Sequence, residues 1–340
     1  MKTERGVSRR GFLGQAAVGS VAAGISAARA RAAQTPAADT NPWRYDVDQL
    51  RKVDPKLIRF ERERQFSVGH PAARRAVFGP GGRLFVAAGK SVLVFAPDGQ
   101  READWDVGEQ VRCLHVDTAG AAWVGVKDRV LVFDAKGQRT ARWDAFGGKA
   151  YLTGLFVSEQ DVWVADSGNR VVYRCDRKGR VELRVGERNT DRKVPGLVLP
   201  SPFLDVEVGG DGLVRVNNAG RHRVEAYTRD GDLEQSWGRP GVAIDSFCGC
   251  CNPIALALLP DGRCLTAEKG LPRVKVYGGG GAFESVVAGP ESFAAVASST
   301  RDQTVAETTH DGLDVAVDTD GRVAVLDLVG ATIQVCRAKA

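Results

Sequence analysis

The chain has 340 residues and a formal net charge of +5 at neutral pH, with 43% hydrophobic and 26% charged residues. The first 32 residues carry six cations and one acid, which accounts for that net charge. The rest is close to neutral, so charge gives no support for binding to nucleic acid or to an anionic membrane. Its length is ordinary for one large all-β domain.

Residues 1–32 are predicted to be a signal peptide. The stretch SRRGFL at residues 8–13 resembles the motif of twin-arginine (Tat) signals, and an uncharged run and an Ala-Arg-Ala cleavage site follow it. A membrane anchor or a Sec signal is the alternative, but the run holds four glycines and few large apolar side chains, so we expect no stable membrane span. We therefore predict Tat export to the periplasm or the extracellular space. Residues 33–56 are predicted to be a polar linker.

A strand–turn unit then recurs six times and is cleanest at Leu204–Trp237. In that copy, alternating apolar residues and turns rich in Gly, Asp and Asn predict four antiparallel strands, the first beginning at Leu204. Aligned on their first turn, the copies are spaced by 38, 40, 52, 50 and 59 residues. The aligned turn residues are Gly82, Gly120, Gln160, Gly212, Gly262 and Gly321. Four strands per repeat and a period of about 40 or more predict an all-β, six-bladed β-propeller.

The sixth copy ends after three strands, and we predict that Ile58–Val68 supplies the fourth and closes the ring. The third strands end at a shared position that is expected to point into the core. This position is occupied by Phe95, Phe133, Cys175, Tyr227, Tyr277 and Cys336. The propeller is predicted to span residues 57–340 and to be a monomer.

The third and fourth copies carry a recognisable motif. Val162–Val172 resembles an NHL repeat, and Asn217–Tyr227 is a looser match. The loop FCGCCNP at Phe247–Pro253 and the stretch Thr266–Tyr277 resemble exported bacterial NHL-repeat proteins that have no assigned activity. The resemblance implies an NHL-like propeller. The family includes binding platforms and a zinc-dependent amidating lyase, and no motif here carries that lyase's residues.

Strand order predicts which loops share a face of the ring. The crossovers between blades and the turns between second and third strands lie on one face, which we call the connector face. All three long insertions belong to it: Gly186–Pro202, Gly238–Pro253 and Gly289–Gly312. The opposite face has tight Asp-Gly hairpin turns. Because long loops in compact domains usually carry function, we expect the binding site around the channel mouth on the connector face.

The sharpest candidate on this face is a cysteine-rich loop containing Cys248, Cys250 and Cys251. Thiolates bind soft transition metals such as Zn, Cu or Fe, and His222 and His310 are candidate additional ligands. A disulfide between Cys250 and Cys251 is the alternative, since export leads to an oxidising compartment. Plain thiols are the third interpretation.

Polar residues beside this loop complete the predicted ligand-binding face: Asn218, His222, Glu268, Lys269 and Arg273. A polar residue six positions past the turn residue recurs as Asp166, Asn218, Glu268 and Asp327. Nearby arginines favour internal pairs that shape the turn. The functional alternative is Glu268 as a catalytic general base beside a bound metal.

A second group of candidates lies where the innermost strands begin, near the channel mouth. Cys113 aligns with Asp205 and Asp314, and His115 aligns with Glu207. These residues are predicted either to bind a metal such as calcium or, as we favour, to accept hydrogen bonds from backbone donors.

Two classes of function follow from these observations. The first is an exported propeller that binds a protein or a small-molecule ligand through the cysteine-rich face. The alternative is a metal-dependent lyase, hydrolase or redox enzyme that uses the cysteine loop.

Overall fold

A computed structural model describes residues 47–293 and 312–340, which form six four-stranded antiparallel sheets arranged in a ring. This architecture confirms the prediction of an all-β, six-bladed propeller. The predicted signal peptide, residues 33–46 of the predicted linker and residues 294–311 of the third insertion, which include His310, lie outside the described residues.

In blades one to five, strands that are consecutive in the sequence pair with one another to form a meander. Blade six differs because its outer strand comes from the start of the propeller. The first strand of the chain is β1 (Phe60–Ser67). Blades one and two contain β2 (Ala73–Phe78), β3 (Leu84–Ala88), β4 (Ser91–Phe95), β5 (Arg101–Asp106), β6 (Cys113–Val116), β7 (Ala122–Gly125), β8 (Val130–Phe133) and β9 (Arg139–Arg142). Blades three and four contain β10 (Leu152–Val157), β11 (Val162–Asp166), β12 (Val171–Cys175), β13 (Val181–Val185), β14 (Val206–Val208), β15 (Val214–Asn218), β16 (Arg223–Tyr227) and β17 (Leu233–Trp237). Blades five and six contain β18 (Ala255–Leu258), β19 (Cys264–Ala267), β20 (Val274–Tyr277), β21 (Phe283–Ala288), β22 (Leu313–Val317), β23 (Val323–Asp327) and β24 (Thr332–Ala338), with β1 as the outer strand of blade six.

Helical structure within the described ranges is confined to very short segments. These are α1 (Val47–Leu50) and the 3₁₀ turns Pro55–Leu57, Pro80–Gly82, Ala219–Arg221 and Pro290–Ser292. None of them has the length and apolar character that would be needed to cross a lipid bilayer.

The backbone conformation requires glycine at five of the six aligned turn positions. All five have φ between 74° and 86°, a region that is open to glycine and costly for residues with a Cβ. The third copy has Gln160 at this position, and there the turn joining Val157 to Val162 is shorter, as the sequence predicts.

The innermost strand of blade four starts two residues later than predicted, at Val206 rather than Leu204. The backbone N–H of Asp205 donates to Asn217 Oδ1 at 2.5 Å instead of to a ladder carbonyl. The Asn217 side chain therefore accepts the hydrogen bond that a backbone carbonyl of the neighbouring strand would otherwise accept.

The shared position at the end of the third strands is buried in every blade. The six residues are at most 3% exposed, and each is paired with the first residue of the second strand. Burial raises the pKa of Cys175 to about 12 and that of Cys336 to about 11, so both stay protonated and pack as small apolar groups. Cys264, also buried, has a pKa raised in the same way to about 12.

The two ends of the propeller pair with each other, as predicted. β1 runs antiparallel to β24, from Phe60 opposite Ala338 to Ser67 opposite Thr332. Phe60 is 4% exposed and packs among apolar residues of blades five and six. The closing strand therefore contributes to the core between blades as well as to the sheet edge.

The Phe60→Ala variant should lower the free energy of unfolding by about 3–5 kcal/mol, because it removes a buried aromatic ring and leaves a cavity. Urea denaturation followed by tryptophan fluorescence would measure this loss. Arg62→Ala, an exposed position on the same strand, is the matched control and should change stability by less than about 0.5 kcal/mol. Equal urea midpoints for the two variants would refute a core role for β1.

Candidate functional site at the channel mouth

A buried arginine crosses the centre of the ring. Arg75, near the start of the innermost strand of blade one, is 6% exposed. Its Nη1 donates to Asp205 Oδ2 of blade four at 2.7 Å and to Asp314 Oδ1 of blade six at 3.0 Å. Because blades one and four face each other in a six-membered ring, the first of these bonds spans the axis. Asp205 Oδ2 also accepts from the backbone N–H of Leu256, and Asp314 Oδ2 from that of Ala76.

This network contains more acid than base. Burial would lower the pKa of Arg75, but the charges of Asp205 and Asp314 raise it above its ordinary value. Burial raises the pKa of Asp314 to about 6, although Arg75 opposes that shift. Burial and the charge of Asp205 also raise the pKa of Glu207, whose Oε1 lies 3.8 Å from Arg75 Nη2. One guanidinium therefore compensates several carboxyl groups.

Of the two interpretations of Asp205 and Asp314, the structure supports hydrogen bonding to backbone donors, with Arg75 as the cation between them. Burial raises the pKa of Cys113 to about 12, so its thiol is protonated. Burial and then the charge of Arg75 lower the pKa of His115 to about 4, so its imidazole is neutral. The His115 ring packs against an aromatic ring rather than against the acids.

Arg75 is the central residue that sequence reasoning missed. It lies seven residues before Gly82, just as Asp205 lies seven before Gly212 and Asp314 seven before Gly321. Extending the alignment of the channel positions to blade one would have placed a cation at the same level of the channel as the two acids.

A cavity opens above this network on the connector face. Its enclosed volume is about 40 Å³, or about 440 Å³ when the open space at its mouth is counted, and Arg75 and Asp314 form its floor. Every blade contributes to its lining, which consists of Arg74, Arg75, Arg112, Thr153, Pro202, Phe203, Leu204, Ile254, Ala255, Leu313, Asp314 and Leu328. The predicted location of the channel mouth therefore coincides with a concave, partly apolar space.

Two further arginines lie at this mouth. The Arg112 guanidinium stacks over the ring of Tyr151, with its carbon 4.5 Å from the ring centre, and Arg112 Nη1 donates to the Tyr151 hydroxyl. Burial lowers the pKa of Arg74, and the nearby charge of Arg112 adds to the effect. The Nε atoms of Arg74 and Arg112 are buried and donate to no described residue.

The cysteine loop is fixed on the same face by bonds to two neighbouring turns. His222 Nε2 lies 2.6 Å from the carbonyl oxygen of Gly249. Asn252 Nδ2 donates to the carbonyl of Cys248 at 2.6 Å and to that of Lys269 at 3.0 Å, and its Oδ1 accepts from the Lys269 N–H at 2.9 Å. Gly249 has φ 85°, which lets the backbone turn tightly, as its position between cysteines predicts. The structure thus brings the loop together with His222 and Lys269.

Within the loop, only two of the three sulfur atoms are adjacent. Cys250 Sγ lies 3.4 Å from Cys251 Sγ; Cys250 is exposed, Cys251 is buried and Cys248 is half-buried. The hydrogen bond to Cys251, followed by burial, raises the pKa of the Cys250 thiol, and Lys269 acts in the opposite direction. Across residues 47–293 and 312–340, no three His, Cys, Asp or Glu side chains come together in a way that would hold a metal ion.

Glu268 lies beside the loop but is completely buried. Its Oε2 accepts from Arg273 Nη2 at 2.9 Å, and its Oε1 lies 2.7 Å from Lys275 Nζ. Burial lowers the pKa of Lys275 to about 8, although Glu268 opposes the shift. Lys275 and Arg273 also donate to the carbonyl of Ser246 in the crossover, so this ion cluster supports the base of the cysteine loop.

The predicted carboxylate–arginine pair at the end of the second strand is present in blade five, whereas Asp166 and Asn218 have other partners at this position. Asp166 accepts from Asn169 and from the N–H of Tyr151 rather than pairing with an arginine. Asn218 Nδ2 donates to Glu225, and Glu225 is the partner of Arg223. Of Asp166, Asn218 and Glu268, only Glu268 therefore accepts directly from an arginine.

The described geometry is that of a propeller similar to known lyases. The chain superposes on a streptogramin B lyase with a TM-score of 0.54 and 12% identity, covering 82% of this chain and 98% of that one. It superposes on virginiamycin B lyase from Staphylococcus aureus with a TM-score of 0.55 and 10% identity, covering 82% and 100%. A catalytically inactive histidine-to-alanine variant of the latter enzyme with quinupristin gives a TM-score of 0.53 and 11% identity, with the same coverage. No protein-family model and no curated protein sequence matches the chain. At these identities, the likeness shows the six-bladed propeller fold alone.

The Arg75→Met variant should lose about 3–5 kcal/mol of stability at pH 8, because it leaves Asp205 and Asp314 buried together without a cation. The folded-state pKa of Asp314 is above its unfolded value, so its ionisation reduces stability as pH rises from about 4 through about 6. Removing Arg75 should steepen this fall, making the loss smaller at pH 5 than at pH 8. Urea titrations at both pH values measure it.

The matched control for this prediction adds Asp205→Asn and Asp314→Asn to Arg75→Met. Removing all three charges should restore part of the stability and flatten its dependence on pH. A loss that is the same at pH 5 and pH 8, or no recovery in the triple variant, would contradict the charge argument.

Proposed function

We propose that this chain is an exported binding propeller and that its small-molecule ligand occupies the mouth of the central channel on the connector face. The observation that carries the proposal is the cavity to which all six blades contribute and whose floor is the buried Arg75 network. The enclosed part, about 40 Å³, has room for one small polar group of a ligand, and the rest of the ligand would lie against the apolar residues of the open mouth. The export component rests on the sequence of residues 1–32.

A protein partner is the less favoured occupant of this face. A small molecule suits this site because one of its groups can enter the cavity while the rest contacts the open mouth, whereas a protein needs roughly 800 Å² of its own surface at a broad contact. The lyase, hydrolase or redox alternative stays a prediction of the sequence: no histidine lines the cavity among the described residues, and Glu268 is held by two cations.

Methyl NMR of the folded protein with a library of small neutral and charged fragments tests the proposal. Fragments should shift the Ile254 signal at the mouth and leave that of Ile333, buried between blades six and one, unchanged. Phe203→Ala removes an apolar wall of the mouth and should weaken fragment binding.

The control variant is Phe146→Ala, which changes an aromatic residue that does not line the cavity. It should leave fragment affinities unchanged. The proposal fails if no fragment shifts Ile254, or if the fragments that bind do so equally well in Phe203→Ala.

A second candidate function is a reversible thiol–disulfide pair at Cys250 and Cys251. The specific observation in its favour is the 3.4 Å separation of their sulfur atoms, together with the exposure of Cys250. An attacking thiolate of Cys250 would form a mixed disulfide with a small disulfide and release one thiol. Cys251, after losing its proton, would then displace the second thiol and close the bond.

Oxidised glutathione should therefore remove two titratable thiols from the folded protein. Cys250→Ser should abolish the paired loss, while Cys175→Ser, at a buried core position, should preserve it. Elemental analysis of protein purified from its native compartment is the companion measurement. A stoichiometric soft metal, or a paired loss that persists in Cys250→Ser, would refute the thiol–disulfide pair.

A further inference from the structure

We propose that the ligand of the channel mouth is a small organic anion whose oxyanion group binds between Arg74 and Arg112 and whose apolar part packs against the walls of the cavity. This inference rests on the proposed function and specifies the chemical class of ligand for the same site.

The position of Arg74 is the first argument. The register between β2 and β3 shifts between Ala73 and Arg75, so Arg74 is the extra residue of a β-bulge. Bulges change the direction of a side chain at the end of a strand and are frequent next to functional sites. Here the bulge places Arg74 in the cavity lining while Arg75 forms the floor.

The second argument is the absence of an acceptor. The side chain of Arg74 makes no ion pair or hydrogen bond with any described residue, and its buried Nε has no partner. Arg112 bonds only to the Tyr151 hydroxyl among side chains of the described ranges, and its buried Nε is also without a partner. Buried donors in folded proteins nearly always have an acceptor, so two such donors at one open cavity can be satisfied by a ligand or by ordered water.

Charge gives the third argument. The two acids of the channel network, Asp205 and Asp314, already bond to Arg75 and to backbone N–H groups. The charges of Arg74 and Arg112 therefore act on each other without a described carboxylate between them. A bound oxyanion would remove this repulsion, and guanidinium groups match planar carboxylates and phosphates with paired N–H donors.

The arrangement of Arg112 is suited to a ligand because it is fixed in advance. Stacking over Tyr151 and the bond to its hydroxyl hold the guanidinium in one orientation. Less conformational entropy is then lost on binding.

The remaining walls define the rest of the ligand. The apolar residues around the mouth are Pro202, Phe203, Leu204, Ile254, Leu313 and Leu328. Lys269 Nζ lies 5.0 Å from the centre of the Phe203 ring and adds a positive charge near the rim. We therefore expect a compact molecule with an aromatic or aliphatic body and one carboxylate or phosphate.

Calorimetric titration with benzoate, phenyl phosphate and the neutral isostere benzamide tests the inference on the whole folded protein. At least one of the two anions should bind roughly tenfold more tightly than benzamide, and added salt should weaken it. Arg74→Gln and Arg112→Gln should each reduce anion affinity by roughly tenfold and reduce benzamide affinity by much less. Arg142→Gln, on the exposed outer strand of blade two, is the matched control and should bind as the unaltered protein does.

Circular dichroism and melting curves of each variant verify folding, and Arg74→Lys, which keeps the charge, should retain part of the affinity. Equal binding of benzoate, phenyl phosphate and benzamide, or unchanged anion affinity in both Gln variants, overturns the anion inference. If neutral fragments still shift Ile254 in that case, the proposed binding site stands without an anion preference. If no probe affects Ile254, both proposals fail.

Discussion

The bond between Arg75 and Asp205 is the constraint on which the centre of this propeller depends. Six wedge-shaped sheets around an axis leave a channel. This channel must be filled by side chains, occupied by water or closed by interactions across it. Here a guanidinium from blade one reaches a carboxylate of the opposite blade at 2.7 Å, and a second carboxylate from blade six completes its coordination. Such a buried cluster stabilises the ring only while it is complete, because each charge relies on the others for compensation. It also turns an open channel into a cavity with a floor.

The connector face joins this cavity to the cysteine loop through Lys269. The backbone of Lys269 exchanges two hydrogen bonds with Asn252, directly after the cysteines, and its ammonium group lies over Phe203 at the cavity wall. The charge of Lys269 also acts on the Cys250 thiol. A change in the charge of the cysteines and a change at the cavity would therefore both act on the Lys269 side chain.

Much of the fold could be predicted from the sequence, since its signals are local and repeated. Alternating apolar residues and turn glycines such as Gly212 define the strands, and the missing strand of the sixth copy points to Phe60–Ser67. The site was less predictable because it depends on contacts between distant copies. Asp205 was recognisable as a channel residue, but its partner Arg75 is 130 residues away and occupies a blade with a degenerate motif. Pattern alone could not show that Glu268 is buried between two cations or that only two of the loop sulfurs are adjacent.

The pairing of β1 with β24 determines when the ring can be completed during biosynthesis. β1 leaves the ribosome with its edge unpaired, and its partner β24 follows about 270 residues later. Blades one to five are hairpin-connected and can each assemble from neighbouring sequence, whereas the final seam must wait until β24 has been synthesised. Until then the nascent chain exposes an open sheet edge, which makes this seam the point at which chaperones would act.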